Sequence, residues 1–555
     1  MVHDEEKQLD RVAAQAADSS SSEEEASVQQ VPHKGTGILD RLLTLEAALD
    51  RKLGIESQAI QRIRPEDQKP QSWHQQATMA LLWAGATMNV SCLSTGFLGW
   101  ELGLDLSQTI PITIFGTLLG SMVAGFCATM GPMGLRQMSL ARYSFGWYPT
   151  KIVAALNVIS QIGWSAVGCI TAGSALSAVS DGKLSSIVGI VIIAVCSSVL
   201  NFCGLRAILE YQKYAWAIFF VLFMVMYGEM APRATLETKS TLTGKDLSGA
   251  VLSLLAVVYG SSVSWATIAA DFYVLHPMNT PKLKIFTLTT LGIGLSTCIG
   301  MVLGCCVGSA MGVEPALAEV YDDQGVGFLI QKMLYPRGFA KFVLIILVLA
   351  GIGMNCINLY SSALSVQQFA RPLARIPRFV WTLVLFGVTL GIAAGGREHL
   401  NAYLQNFLSL LGYWATSFFV IVWCEHYIFR KGSADNYDLE GWNDPKRLPI
   451  GLAALVAFLV GVVGWVLGMV ETWFTGPVGK LVGSDGGDLA NELTFGFTLV
   501  LFVPLRYLEL KYVRIVLRYP DVVVQGYGAD PFSGLVEGLM DMKSIMVRML
   551  IYKTT

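Results

Sequence analysis

The feature that most constrains this chain is a row of apolar runs, each about 20 residues long and poor in charge, recurring between residues 76 and 513. A bilayer core about 30 Å thick is crossed by roughly 20 residues of helix. Backbone in lipid must satisfy its own hydrogen bonds, so helices are the economical way to cross. Twelve runs are found, at 76–97, 109–130, 151–178, 185–204, 212–231, 247–274, 285–312, 340–369, 379–396, 401–428, 449–471 and 493–513. Charged residues make up only 14% of the 555, against about 25% in a soluble protein. The expected product is an all-α integral membrane protein of twelve transmembrane helices, a domain over 76–513 between cytosolic tails at 1–75 and 514–555. A net charge of −2 offers no basic field, which argues against a nucleic-acid partner.

No signal peptide opens the chain. The first 37 residues are polar, with Ser19 to Ser22 followed by three glutamates, and read as a disordered tail. Ile38 to Leu53 carries apolar residues at helical spacing. It is either an amphipathic helix on the membrane surface or one packed on the protein's own inner face. Lys and Arg gather in alternate loops, among them Arg136, Arg142, Lys282, Lys284, Arg371, Arg375, Arg378, Arg430 and Lys431. The positive-inside rule then puts both termini in the cytosol. The ten cysteines lie in or beside apolar runs with no C-x-x-C pair, and read as small core residues rather than metal ligands.

Spans 1 and 6 differ from the rest. Gly85, Ser91, Ser94, Thr95 and Gly96 interrupt the first; Gly260, Ser261, Ser262 and Ser264 interrupt the second. Interrupted helices at matching positions point to an inverted repeat of five plus five helices, with a ligand site at the midplane. Close helix packing is the competing explanation of each small residue taken singly. Intramembrane ionisable groups are costly, which makes them candidates for function. Asp271, near the inner end of span 6, is the clearest. It is a proton acceptor, a gate held through an Arg or a backbone N–H, or a partly hydrated helix-end carboxylate. Glu425, where span 10 meets the cytosol, reads as the last of these.

No clustered His, Asp or Glu is present for metal or hydrolytic chemistry, so an enzyme, a cofactor and a metal site are not expected. There is no phosphate-binding G-x-x-x-x-G-K-[ST] either. What remains suits a flat, uncharged, hydrogen-bonding solute. Trp164 in span 3 and Trp265 in span 6 lie deeper than interfacial anchors. Asn355 and Asn358 in span 8 are three apart and share a helix face. An indole stacks on a ring while an amide pairs with its edge. Asn358 as interhelical glue is the other reading.

Several stretches carry a recognisable pattern. They are Gly131-Pro132-Met133-Gly134-Leu135-Arg136-Gln137 with Arg142-Tyr143-Ser144-Phe145-Gly146, then Ser264-Trp265-Ala266 with Ala269-Ala270-Asp271 and Tyr273. Asn358-Leu359-Tyr360-Ser361 is a third. The strongest runs from Asn406-Phe407-Leu408-Ser409-Leu410-Leu411-Gly412-Tyr413-Trp414 to Glu425-His426. Together they resemble the fungal purine–cytosine permeases of the nucleobase–cation symporter family, and the resemblance covers roughly Trp73 to Lys511. It implies a LeuT-like core of ten helices plus two C-terminal ones, in the plasma membrane, and proton-coupled uptake of purines or cytosine. It implies a site lined by a small polar residue of span 1, matched at Asn89 or Ser91, with Trp164 and Trp265 stacking and Asn358 reading the substrate edge.

The chain departs from that pattern in three places. Gly168 stands where an Asn follows the span 3 Trp by one turn. Span 8 reads Met354-Asn355-Cys356-Ile357-Asn358, without the usual Pro before its last Asn. Thr267 replaces the Pro after the span 6 Trp. Altered hydrogen-bonding partners in a buried site change selectivity by powers of ten. Vitamin B6 or another neutral heterocycle is therefore the alternative cargo. A non-transporting membrane receptor is a further alternative.

Overall fold

Asn89 breaks the first apolar run. The computed structural model describes residues 60–68, 72–202, 204–237 and 239–513. In it α1 (Trp73–Thr87) and α2 (Val90–Glu101) meet at a 60° bend. Asn89 takes an extended backbone at the break, and its side chain accepts from the Cys92 amide at 3.1 Å. An N-cap of this kind satisfies one of the donors a new helix leaves open. The break is thus made by a capping residue. Gly85 and Gly96 serve packing instead: a Cβ at Gly85 would meet Gln212 Oε1 at 2.2 Å, and one at Gly96 would meet Met301 O at 2.1 Å.

The chain continues as α3 (Leu106–Ala128), α4 (Gln137–Phe145), α5 (Thr150–Val179), α6 (Ser186–Phe202), α7 (Gly204–Met230) and α8 (Gly244–Val263). The span containing α8 stops being α-helical at Ser264. Two 3-10 turns, Ser264–Thr267 and Ala269–Phe272, carry the chain onward. Then follow α9 (Lys282–Val313), α10 (Pro315–Gln324), α11 (Val326–Met333), α12 (Arg337–Phe369), α13 (Arg371–Ala374), α14 (Arg378–Gly396) and α15 (Leu400–Cys424). The last apolar helices are α16 (Leu452–Gly468) and α17 (Ala490–Leu508), joined through a small antiparallel hairpin of β1 (Val470–Glu471) and β2 (Phe474–Thr475).

Among the described residues nine helices are long and apolar enough to cross a bilayer, and the bent α1–α2 pair makes ten. The remaining two expected spans are α6 and α16, both apolar and 17 residues long. Lipid-facing stripes of large apolar side chains are exposed on α6, α7 and α14. The expected tails, including the helix at Ile38 to Leu53, lie outside the described residues.

Small residues bring the inner helices into backbone contact. A Cβ at Gly260 on α8 would fall 1.9 Å from Leu408 O on α15. Gly260→Val is therefore expected to push these central helices apart, because neither backbone can yield a side chain's width. A fluorescent-protein fusion should show it retained inside the cell and aggregated on gel filtration, with Gly387→Val, in open space on α14, behaving as wild type.

Two sequence expectations are corrected. Glu425 is not a hydrated helix end: it is buried, and Arg506 and Arg430 both bond to it. Cys196 is exposed on α6 rather than in the core. Seven other cysteines are buried as expected, Cys298 is partly so, and Cys203 lies outside the described residues.

Candidate substrate site

α5 and α12 pack antiparallel with a register fixed by side chains. Asn157 Nδ2 donates to Ser365 Oγ at 2.8 Å, and Asn355 Oδ1 lies where a Cβ at Gly168 would be, 2.4 Å from it. Between these points Ser165 comes level with Asn358. Four residues apart, Asn157, Gln161, Ser165 and the adjoining Trp164 form one stripe of α5. Trp164 Nε1 donates to Ser264 Oγ at 3.1 Å, and Thr267 Oγ1 donates to Asn157 Oδ1 at 2.6 Å. The stripe thus faces both α12 and the unwound end of span 6, which carries Trp265.

The broken first span closes the third side. Trp83 on α1 meets Trp265 edge to face, with ring centroids 5.6 Å apart. Beyond the break, Asn89 Nδ2 lies 3.2 Å from Met354 Sδ on α12, and Ser91 Oγ lies 3.0 Å from Thr171 Oγ1 on α5. The bend therefore sits at the depth of Trp164, Ser264 and Asn358.

Asn358 is the most telling residue. It is fully buried at 0% exposure, yet neither its Nδ2 nor its Oδ1 has a hydrogen-bond partner. Leaving a buried amide unpaired costs about 1–3 kcal/mol. Asn355 Oδ1, Ser165 Oγ, Gln161 Oε1 and Ser94 Oγ are buried and unpaired as well. Asn355 spends its other end on Cys169, Nδ2 to Sγ at 3.1 Å. The site accordingly presents donors and acceptors without charge.

The candidate residues thus divide. Trp164, Trp265, Asn355 and Asn358 fall on elements that meet at one depth. Asn89 and Ser91 stand beside them, but their polar atoms bond to neighbouring protein groups, Asn89 as the cap. Ser94, Ser165 and Gln161 carry open polar atoms as well, beyond the residues expected from sequence. Gln161 and Ser165 share a four-residue spacing with Asn157, which was the readable signal. Phe407, part of the Asn406 to Trp414 motif, lies edge-on to Trp164 at 6.0 Å.

Asp271 lies below the site, on the side of the Arg-rich loops. It is 2% exposed, which rules out the hydrated helix-end reading. Its Oδ1 accepts from the Gln137 amide at 2.8 Å, and Arg136 Nη1 donates to its carbonyl at 2.6 Å. Gln137 Oε1 accepts in turn from the Ala270 amide at 3.2 Å. The same segment reaches α12, where Ser139 Oγ donates to Gln368 Oε1 and Arg142 Nη2 to Gln368 O. Residues 131–145 thus bind the unwound end of span 6 to the end of α12.

A family model described as permease for cytosine/purines, uracil, thiamine and allantoin matches residues 65–483. The chain is 35% identical over 467 residues to the purine-cytosine permease fcyB of Emericella nidulans, covering 84% of this chain and 91% of that protein. It is 33% identical over 533 residues to the vitamin B6 transporter TPN1 of Saccharomyces cerevisiae, covering 85% and 91%. Its fold matches Mhp1, a nucleobase-cation-symport-1 family transporter solved closed with bromovinylhydantoin bound. That match has a TM-score of 0.60 at 16% identity, over 82% of this chain and 96% of that one.

Proposed function

The chain belongs to the family of permeases for cytosine/purines, uracil, thiamine and allantoin, and from that premise we propose that it is a proton-coupled symporter taking up purine nucleobases or cytosine. The observation that carries this reading is Asn358, a fully buried amide with donor and acceptor both open. An amide meets the edge of a nucleobase with two parallel hydrogen bonds. Trp164 and Trp265 supply stacking faces, worth about 1–3 kcal/mol per base. Asn355, Ser165 and Ser94 offer further edge contacts, while Asn89 holds the break and Ser91 ties it to α5. With no charged side chain among these groups, the cargo is a neutral ring.

In the same reading all twelve apolar helices span. The first ten form an inverted repeat of five plus five, and α16 and α17 follow it. The transporter domain is 76–513, the tails 1–75 and 514–555 lie in the cytosol, and the membrane is the plasma membrane. Asp271 acts with Arg136 and Gln137 as the inner latch, and proton uptake there weakens it. The chain performs transport and no catalysis, without a bound cofactor or metal.

A vitamin B6 compound is the second reading. The observation favouring it is the Asn355 amide folded over Gly168, which gives this site a different edge from a chain with an amide at that position of α5. TPN1, named a vitamin B6 transporter, is also a relative at nearly the same identity as fcyB.

Trp265→Ala should reduce nucleobase uptake below detection with surface delivery intact, and Trp265→Phe should keep some of it. Initial rates of labelled adenine and cytosine uptake, normalised to surface protein, check this. Wild-type kinetics in Trp265→Ala would refute the stacking role.

A further inference from the structure

The connection between α16 and α17 buries two carboxyl groups around one hydroxyl. Tyr413, on α15, lies in hydrogen-bond contact with Glu471 Oε1 at 3.1 Å and with Asp488 Oδ2. Glu471 is 4% exposed and Asp488 1%. An ionised carboxylate only accepts, and a tyrosine hydroxyl carries one hydrogen. Two contacts of hydrogen-bond length therefore need a second hydrogen, which has to sit on a carboxyl oxygen. Glu471 Oε2 is buried and has no partner.

We infer that Glu471 and Asp488 form a proton-binding site, separate from the substrate site, holding one proton between them against Tyr413. The surroundings favour it. The titratable groups acting on the pair are acidic or neutral: Tyr413 itself and Glu492 in the first turn of α17. Tyr259 on α8 acts on neither and lies against Glu492. Asp246 of α8 is occupied by Ser484. Lys245 and Lys480, on adjoining segments, are exposed to solvent. Among the described residues, none of the charges acting on either carboxyl is a cation. Burial, then the neighbouring acid, pushes Glu471 up to about 9, and burial pushes Asp488 up to about 7. Among the described residues no group of three His, Cys, Asp or Glu side chains is placed to hold a metal ion, and the ligand we infer is a proton.

The site ties three helices together. Asp488 accepts from the Ala490 amide at 2.9 Å and its own amide reaches Ser253 Oγ on α8 at 3.4 Å. Asn406 of α15 pairs with the hairpin, donating to Thr472 Oγ1 and accepting from the Thr472 amide. Loss of the shared proton leaves two buried anions around one hydroxyl. That repulsion is relieved by admitting water or by moving the hairpin off α15.

Infrared difference spectra of the purified full-length protein test this without any transport assay. A protonated-carboxyl band should persist to about pH 7, above the ordinary carboxyl range. It should weaken in Glu471→Gln and in Asp488→Asn, each of which leaves one carboxyl of the pair, and keep its full strength in Asp246→Asn. Both carboxyls are raised in the folded state, so their contribution to stability is full below the ordinary carboxyl range. It is lost as pH rises through the folded values. The melting temperature should therefore fall between about pH 5 and about pH 9 in wild type, and fall less in either variant. A band absent from wild type would overturn the inference. So would one unchanged in both Glu471→Gln and Asp488→Asn, or one displaced by sodium at fixed pH. If one variant fails to fold, the wild-type band and the other variant still decide.

Discussion

Asn358→Leu is expected to lower nucleobase uptake by about 30- to 100-fold while the protein folds at least as well as wild type. The two effects have one cause. The Asn358 amide is buried with both ends open, so in the empty protein it is a cost, and leucine of similar volume removes that cost. With a base bound, the amide supplies two hydrogen bonds of about 1–1.5 kcal/mol each, and every 1.4 kcal/mol is tenfold. Uptake rates should collapse while the melting temperature of the purified protein holds or rises. A residue that merely glues helices would show the reverse: lower stability, with uptake falling only as the protein is lost. Wild-type uptake in Asn358→Leu would remove Asn358 from the site.

Arg506→Met is expected to have the largest effect on folding. Arg506 is buried in α17 and spends its guanidinium on three segments. Nε and Nη2 grip the two oxygens of Glu425 at 2.9 Å, Nη1 donates to Glu509 at 3.0 Å, and Nη2 reaches Tyr143 O at 3.3 Å. Glu509 accepts in turn from the Gly451 and Leu452 amides at the start of α16. Removing the cation leaves two buried carboxylates short of a partner, with only Arg430 still on Glu425. Breaking such a pair costs about 3–5 kcal/mol. Arg506→Met should fail to reach the surface and elute as aggregate. Glu425→Gln combined with Arg506→Met should recover some of the loss, because it removes one orphaned charge. If Arg506→Met were as stable as wild type, the network would contribute nothing.

Much of the fold was legible because hydropathy and helix length are set by the same bilayer. Each of the twelve apolar runs coincides with a helix or broken helix. The candidate site was legible where chemistry stands out against apolar sequence: Trp164, Trp265, Asn355 and Asn358, which the fold brings to one depth. It was not legible where function depends on which atoms stay unpaired. Asn89 and Ser94 look equivalent in a run of small polar residues, yet one closes on its own helix and the other stays open. The glycines, taken singly, follow the packing explanation: the spaces beside Gly85, Gly96 and Gly260 are filled by Gln212, Met301 and Leu408. Glu425 looked like a hydrated end because Arg506, which takes both its oxygens, lies 81 residues away, and the nearer Arg430 reads as an ordinary loop cation. Pairings at that separation leave no local pattern. The motif from Asn406 to Trp414 shows how much a stretch can hold: Asn406 binds the hairpin, Phe407 meets Trp164, Tyr413 meets two acids, and Trp414 Nε1 donates to Ser160 Oγ at 3.2 Å.

The most direct measurement is uptake of labelled adenine, cytosine and hypoxanthine by a host without carriers of its own, with unlabelled pyridoxine as competitor. The expected result is saturable uptake of at least one nucleobase, displaced by the other bases and not by pyridoxine. No uptake of any nucleobase, with the protein at the surface in normal amount, would contradict it.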